Sequence, residues 1–344
     1  LNFTPNNLDS FLNIDRALWA FAVNTVIGNF DSYNGYYVHN YYMYQNEDNL
    51  FQMIPWDLSQ SFINALLGWD IFTPLGPTHP TQYDPYYGSD PSLFRPLTEF
   101  LFNNAEYRRQ YTAHLRTVIN EIDTNQIRSE VQTMQAMAYS AMDNDIHKLF
   151  SSADYFNNVE QDISNLSWGG YGFGGIMSCL RHRIPFLLAH SEISATPPNI
   201  FNVQVDNGII TANVNNESYV ELMATVSEYN SKFTSFDMYD DGTNGDAQAN
   251  DGIYSCYVPF ATSPLVKFYV KARNSQAMML SPERAEYEFY EYYSISNVLD
   301  KPQSFNKQIV FITDILGKKS KFRYNTPLIF IYDDGSAEKK FFVK

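Results

Sequence analysis

The stretch SATPPNIFNV, residues 194–203, separates two textures, and any fold of this chain must satisfy both. Before it, apolar side chains recur at helical spacing. In LDSFLNIDRALWAFAVNTVIG, residues 8–28, Leu8, Phe11, Leu12, Leu18, Phe21, Ala22 and Val26 form one such stripe, and Gly28 supplies a stop. After it, FNVQVDNGIITANV, YVELMATVS, GIYSCYVPF and LVKFYVKARN alternate apolar and polar residues in the manner of half-buried β-strands. The Pro-Pro pair between the textures reads as a hinge, so a helical half is expected to precede an all-β half.

A chain of 344 residues exceeds what one core usually organises. The expected parts are residues 1–193, a β-sandwich over 197–291, and a small β unit over 305–344. Hydrophobic residues make up 44% of the chain and aromatics 16%, which excludes a disordered protein. The net charge of −15, with no run of lysine or arginine, argues against nucleic acid or an anionic membrane as partner. No apolar run approaches the roughly 20 residues of a membrane span. Cys179 and Cys256 fall in different expected domains and read as buried thiols, not as a disulfide or zinc framework. The chain opens at Leu1 with neither methionine nor a signal-like segment, and the expectation is that it continues a longer protein.

Within the first half, residues 36–45 and 50–56 flank the turn-forming NEDN and read as a β-hairpin. Residues 73–96 are proline-rich and must form a long loop. Helical pattern resumes over 97–141, 151–166 and 174–190.

The hairpin region, GNFDSYNGYYVHNYYMYQNEDNLFQMIPWDLSQSF, carries the residues that matter most for chemistry. Phosphoryl transfer needs a carboxylate to orient or accept the proton of the attacking hydroxyl. It also needs oxygen ligands to hold a divalent ion against the phosphates. Asp31, Asn40 and Asp57 could supply these, with hairpin pairing bringing the last two together. Asp and Asn are equally the residues that cap turns and helices, so spacing alone leaves that reading open.

The motif F-D-S-Y, then H-N-Y-Y-M-Y, then I-P-W-D-L-S-Q-S-F closely resembles the CotH kinase family, the spore-coat-protein-H-like atypical protein kinases. The resemblance covers about residues 1–190, including LRHRIPFLLAH with Arg181 and Arg183. It implies an α+β, atypical protein-kinase-like domain, represented mostly by its helical C-terminal half. It also implies ATP and Mg²⁺ or Mn²⁺ as cofactors, Asp31 as the catalytic aspartate, and Asn40 and Asp57 as metal ligands. The substrate would be Ser or Thr of a protein outside the cytoplasm. His39 reads as packing beside tyrosines, and the tyrosines as the packing that holds the hairpin. Two departures stand out. Ser59 occupies the position two beyond the metal aspartate, where the family usually has another acid. The family's nucleotide-covering strands and phosphate-contacting basic residue lie upstream of the catalytic aspartate, and only 30 residues precede Asp31 here, so this stretch by itself is expected to bind ATP poorly and to be impaired in transfer. The competing expectation is a catalytically degenerate kinase fold that serves in surface binding or adhesion.

The β half is similar to immunoglobulin or fibronectin modules. Its loop MYDDGTNGDAQANDGIYSC resembles a segment common in bacterial extracellular immunoglobulin-like modules. Asp240, Asp241, Asn244, Asp246 and Asp251 could wrap oxygen ligands round Ca²⁺, or simply form a glycine-rich turn. The tail, with a D-x-x-G-K turn over 314–318 and Lys339, Lys340 and Lys344 near its end, resembles the C-terminal sorting domains of type IX secretion in Bacteroidota. A plain terminal hairpin is the alternative. Together these resemblances imply a secreted or surface-attached protein.

Overall fold

A computed structural model describes residues 5–63, 80–163, 173–294, 309–314, 317–323, 328–332 and 337–340. The chain divides into two compact units, Leu1–Tyr292 and Tyr293–Lys344.

The first unit opens with a short 3₁₀ turn, Pro5–Ser10, and helix α1, Ile14–Val26. The α-helix therefore begins later than the apolar spacing suggests. The Asn13 side chain accepts from the Arg16 N–H and caps its start, and Gly28 just beyond its end takes φ of 63°. Strands β1, Tyr41–Gln45, and β2, Phe51–Pro55, pair antiparallel with Tyr41 opposite Pro55 and Gln45 opposite Phe51. Residues 36–40, expected in the first strand, lie outside it.

The helical pattern over 97–141 is three helices: α2, Pro96–Asn103; α3, Ala105–Glu121; and α4, Thr124–Asn144. Both breaks have a local cause. The Asn104 carboxamide accepts from the N–H groups of Glu106 and Tyr107, and the Asp123 carboxylate from those of Asn125 and Gln126, so each side chain starts a new helix. Helices α5, Ser152–Asn157, α6, Ile176–Leu188, and the single turn α7, Ser191–Ser194, complete this half. The proline-rich loop begins outside the described residues; from Pro80 it continues as short 3₁₀ turns. The core gathers Ala17, Leu18, Phe21 and Ala22 of α1 with Leu101, Phe102, Tyr111 and Leu115 of α2 and α3.

The β half is two antiparallel sheets. Strands β3, Asn199–Asp206, β4, Ile209–Asn215, and β7, Ile253–Tyr257, form one. Strands β5, Tyr219–Thr225, β6, Thr234–Asp237, β8, Leu265–Arg273, β9, Met278–Ser281, and β10, Tyr290–Tyr293, form the other. Ile210, Ala212 and Val214 from the first sheet share one core with Leu222, Ala224, Val266, Phe268 and Val270 from the second.

Strands β5 and β8 lose the alternation expected of a sheet with one wet face. Ala113 of α3 packs with Tyr269, Leu280 and Ala285, so helix covers the face turned away from the shared core. Lys271, nearly buried, lies 2.9 Å from Glu221 of β5 and 3.1 Å from Glu106 of α3. The helical and β halves thus form one compact body. Among the described residues no helix is long and apolar enough to cross a membrane.

In the second unit, β11, Ile309–Thr313, β12, Leu328–Tyr332, and β13, Ala337–Lys340, form a three-stranded antiparallel sheet around Leu328, Phe330 and Tyr332. The Asp314–Lys318 turn is bonded: Asp314 Oδ1 and C=O accept from the N–H groups of Lys318 and Gly317. Lys344 and the connector at 298–306 lie outside the described residues.

Candidate active site

The loop from α1 to β1 is held at nearly every residue. The Asn29 N–H donates to Asn24 C=O, and Asn29 Oδ1 accepts from the N–H of Asp31. Asn34, buried, reaches back to α1 and donates to Phe21 C=O and Thr25 Oγ1. The Arg95 guanidinium donates to the carbonyls of Tyr33, Gly35 and Tyr36. Gly35 is required by space: a Cβ there would stand 2.3 Å from Phe30 O. These contacts spread the cost of ordering the loop and present Asp31 at one place.

Asp31 is only one-fifth exposed and both its oxygens are engaged. Asn40 Nδ2 donates to Oδ2 over 2.7 Å, and His39 Nδ1 lies 2.5 Å from Oδ1. His39 is therefore a polar partner of Asp31 with a half-exposed ring, not the packing residue expected. Asn40 sits one residue before β1 opposite Trp56, whose N–H donates to Asn40 C=O over 2.9 Å. Asp57 follows at the exit of β2. The structure thus brings Asp31, Asn40 and Asp57 to the open end of the hairpin, with His39 beside Asp31 and acting electrostatically on both carboxylates.

Asn40 and Asp57 both adopt left-handed backbone, φ 56° and 43°. Asn and Asp tolerate this region better than most residues, and strained backbone clusters where function or a tight turn demands it. The carboxylates differ in proton affinity. Partial burial raises the Asp31 carboxyl above its ordinary value, and the nearby Asp57 charge adds to this; His39 and the Asn40 hydrogen bond only oppose it. The Asp57 carboxyl, exposed, is held below its ordinary value by hydrogen bonds from the side chain and backbone N–H of Ser59, with a smaller contribution from His39. One carboxylate is thereby biased toward taking a proton and the other toward staying charged, which suits a base and a metal ligand respectively. Asp57 with the carboxamide oxygen of Asn40 makes a hard-oxygen donor set of the kind Mg²⁺ and Mn²⁺ prefer.

The tyrosines divide by face. Tyr33 and Tyr41 pack edge-to-face at 5.2 Å against the α1 side, whereas Tyr42, Tyr44, Ile54 and Trp56 form an outer face and are 43–59% exposed. Rings hold the hairpin on both faces, since on the outer one Tyr42 of β1 packs edge-to-face at 5.2 Å on Trp56, which follows β2. Period-two alternation made both faces of this hairpin apolar, and only one has a neighbour in the core.

Sequence reading left Arg95, Asn29 and Asn34 unassigned. The only local cue was the Asn-Gly pair at 34–35. Arg183 was noticed only as part of a motif. It is fully buried, donating to Thr25, Thr81 and Tyr83 carbonyls, and burial pulls its guanidinium down to about 10. Arg181, by contrast, pairs at the surface with Glu160 over 3.0 Å. Cys179 and Cys256 are free and buried, and burial pushes both thiols up to about 12.

In the β half, Asp240, Asp246 and Asp251 place one carboxylate oxygen each within 4.8 Å of the others. Asp240 accepts from the N–H groups of Asp251 and Gly252, and Asp246 from those of Gly242 and Gln248. Asp241 instead accepts from Thr243, and the Asn244 amide donates to Thr243 Oγ1. The loop is closed by its own hydrogen bonds.

Searches of curated proteins and of solved structures return no significant match. Residues 3–166 match the family model described as CotH kinase protein. The matched segment contains α1, the loop, the hairpin and all of Asp31, Asn40 and Asp57, and it ends before α6. The match supports placing this part of the chain, from the 3₁₀ turn through α5, in the CotH kinase family.

Proposed function

We propose that this protein is a CotH-like phosphotransferase that moves phosphate from ATP to Ser or Thr hydroxyls of proteins outside the cytoplasm. The observation that carries this reading is the meeting of Asp31, Asn40 and Asp57 at the hairpin mouth, with the two carboxyls pushed in opposite directions. Asp31 orients the acceptor hydroxyl and takes its proton, and Asn40 fixes the Asp31 carboxylate through Nδ2. Asn40 and Asp57 present oxygens for Mg²⁺ or Mn²⁺, which when bound would neutralise charge on the transferring phosphate. The β half and the tail support the reading of a secreted or surface-attached protein through their resemblance to immunoglobulin-like and type IX sorting modules. A calcium ion in the Asp240–Asp251 loop belongs to the same reading.

The test is incubation of the full chain with labelled ATP and Mg²⁺ or Mn²⁺. Label should enter the protein itself or an added acceptor, and Asp31→Ala should stop it. Equal labelling by the variant sinks the catalytic reading.

A second reading, a degenerate kinase fold acting as a surface binding protein, is favoured by one observation. Ser59 stands where the family has an acid, and it spends its hydroxyl and N–H on Asp57. Absence of labelling and of metal binding by the intact chain would select it.

A further inference from the structure

The seam between the helical and β halves holds ionisable groups that phosphoryl transfer does not use. Asp15, in the first turn of α1 and buried, receives three donors. Gln110 Nε2 and His114 Nε2 of α3 each lie 2.8 Å from its Oδ1, and the N–H of Glu286 lies 3.2 Å from its Oδ2. One turn along α1, Trp19 stacks on His114 at 4.0 Å and donates Nε1–H to Ala285 C=O over 2.8 Å. The 285–286 segment, between β9 and β10, is thus gripped by α1 through both backbone groups. The Glu286 side chain turns inward, and its Oε1 accepts from Tyr269 OH of β8 over 3.1 Å. Asp15, Glu106, Gln110, Tyr269, Lys271 and Glu286 line a cavity of about 200 Å³ here.

Two buried carboxyls therefore line the same cavity of the seam, and the cations near them have other partners. Lys271 lies between Glu221 and Glu106. The Arg16 guanidinium sits 3.4 Å over the Tyr287 ring. His114 gives its Nε2 hydrogen to Asp15, and its Nδ1 is buried without a partner. Burial, and then the charge of Asp15, raise the Glu286 carboxyl well above its ordinary value; the Tyr269 hydrogen bond, Arg16 and Lys271 oppose them without matching them. The titratable and charged groups round Glu286 are then Asp15 and Arg16 from α1 with Asp9 just before it, Glu106 and Tyr107 from α3, Tyr269 and Lys271 from β8, and Lys232 ahead of β6, with His114 behind Asp15 and Glu221 of β5 behind Lys271.

We propose that this seam is a proton-operated latch, closed while the Glu286 carboxyl keeps its proton and loosened when that carboxyl ionises beside Asp15. The sign follows from linkage. A carboxyl whose folded value is raised contributes its full stabilisation below the ordinary value of 4.5 and loses it as pH rises through the folded value. The latch therefore favours the docked state in acid and releases it toward alkaline pH. It depends on the packing of α1 and α3 against β8, and not on whether Asp31 is catalytic.

Thermal unfolding of the full chain between about pH 5 and pH 8 tests it, with wild type beside Glu286→Gln and Asp15→Asn. The Glu286→Gln protein should gain on wild type as pH rises, by roughly 3 °C or more across the range. Asp15→Asn should flatten the wild-type pH dependence in the same sense. Amide exchange at residues 284–288 of the wild type should rise with pH faster than the intrinsic base-catalysed rate, a readout that needs no variant. Melting curves that stay parallel, or exchange that follows the intrinsic rate, overturn the latch.

Discussion

The carboxamide of Asn40 donates to Asp31 across 2.7 Å, linking the loop that follows α1 to the first residue before the hairpin. One side chain thus orients the candidate base with its nitrogen and leaves its oxygen for a metal. Asp31→Asn keeps the shape and removes the base, so phosphate transfer should fall by about 10²–10⁴-fold with melting temperature little changed. Because burial raises the Asp31 carboxyl, the acid limb of the wild-type rate profile should lie above the ordinary aspartate value of 3.8. A rate–pH profile at saturating ATP and Mn²⁺ checks both statements.

Asp57 occupies left-handed backbone, which costs an alanine about 1 kcal/mol and a glycine nothing. Asp57→Ala and Asp57→Gly should both abolish metal-dependent transfer, yet in urea unfolding the glycine variant should be about 1 kcal/mol the more stable. Equal stabilities would show that strain at this position is absent.

Ser59→Asp restores the acid that the family resemblance leads one to expect, and it removes a hydroxyl that now hydrogen-bonds Asp57. Two neighbouring carboxylates then share one exposed turn. Titration calorimetry should show Mn²⁺ binding tighter by about tenfold than in wild type, near 1.4 kcal/mol.

Asp48, in the β1–β2 turn, accepts from the hydroxyls of Ser227 and Ser231, with Lys232 4.0 Å away. Burial alone would raise its carboxyl, but these hydrogen bonds and the lysine charge hold it below its ordinary value. Its stabilisation is therefore present above pH 3.8 and is lost as pH falls below that value. Asp48→Asn should cost about 1 kcal/mol at neutral pH and progressively less as pH falls below 3.8, measured by urea unfolding at pH 7 and at a series of lower pH values.

How much of this was legible depended on how far apart the interacting residues lie. The change from helix to strand at 194–203 and the hairpin were visible because periodicity and turn chemistry are local. Asp31, Asn40 and Asp57 could be named because a short motif carries them. Arg95 and Arg183 could not, since their acceptors are carbonyls about 60 to 158 residues away, and nothing in the spacing of an arginine announces a buried carbonyl cage. The breaks at Asn104 and Asp123 were legible in principle, as cap residues inside a helical pattern. The double burial of β5 and β8 was not, because it arises from α3, which ends about 100 residues before β5 and about 145 before β8.

The covering of the second sheet by α3 has a practical corollary for anyone dissecting the chain. The two prolines at 197 and 198 look like a natural cloning boundary, but a cut there leaves Ala113 and Trp19 without the Tyr269 and Ala285 they pack on and bond to. A helical fragment ending at residue 196 would carry an exposed greasy flank and a half-buried aspartate without its third donor. Insolubility of such a fragment would report the missing flank, and would say nothing about whether Asp31 can catalyse.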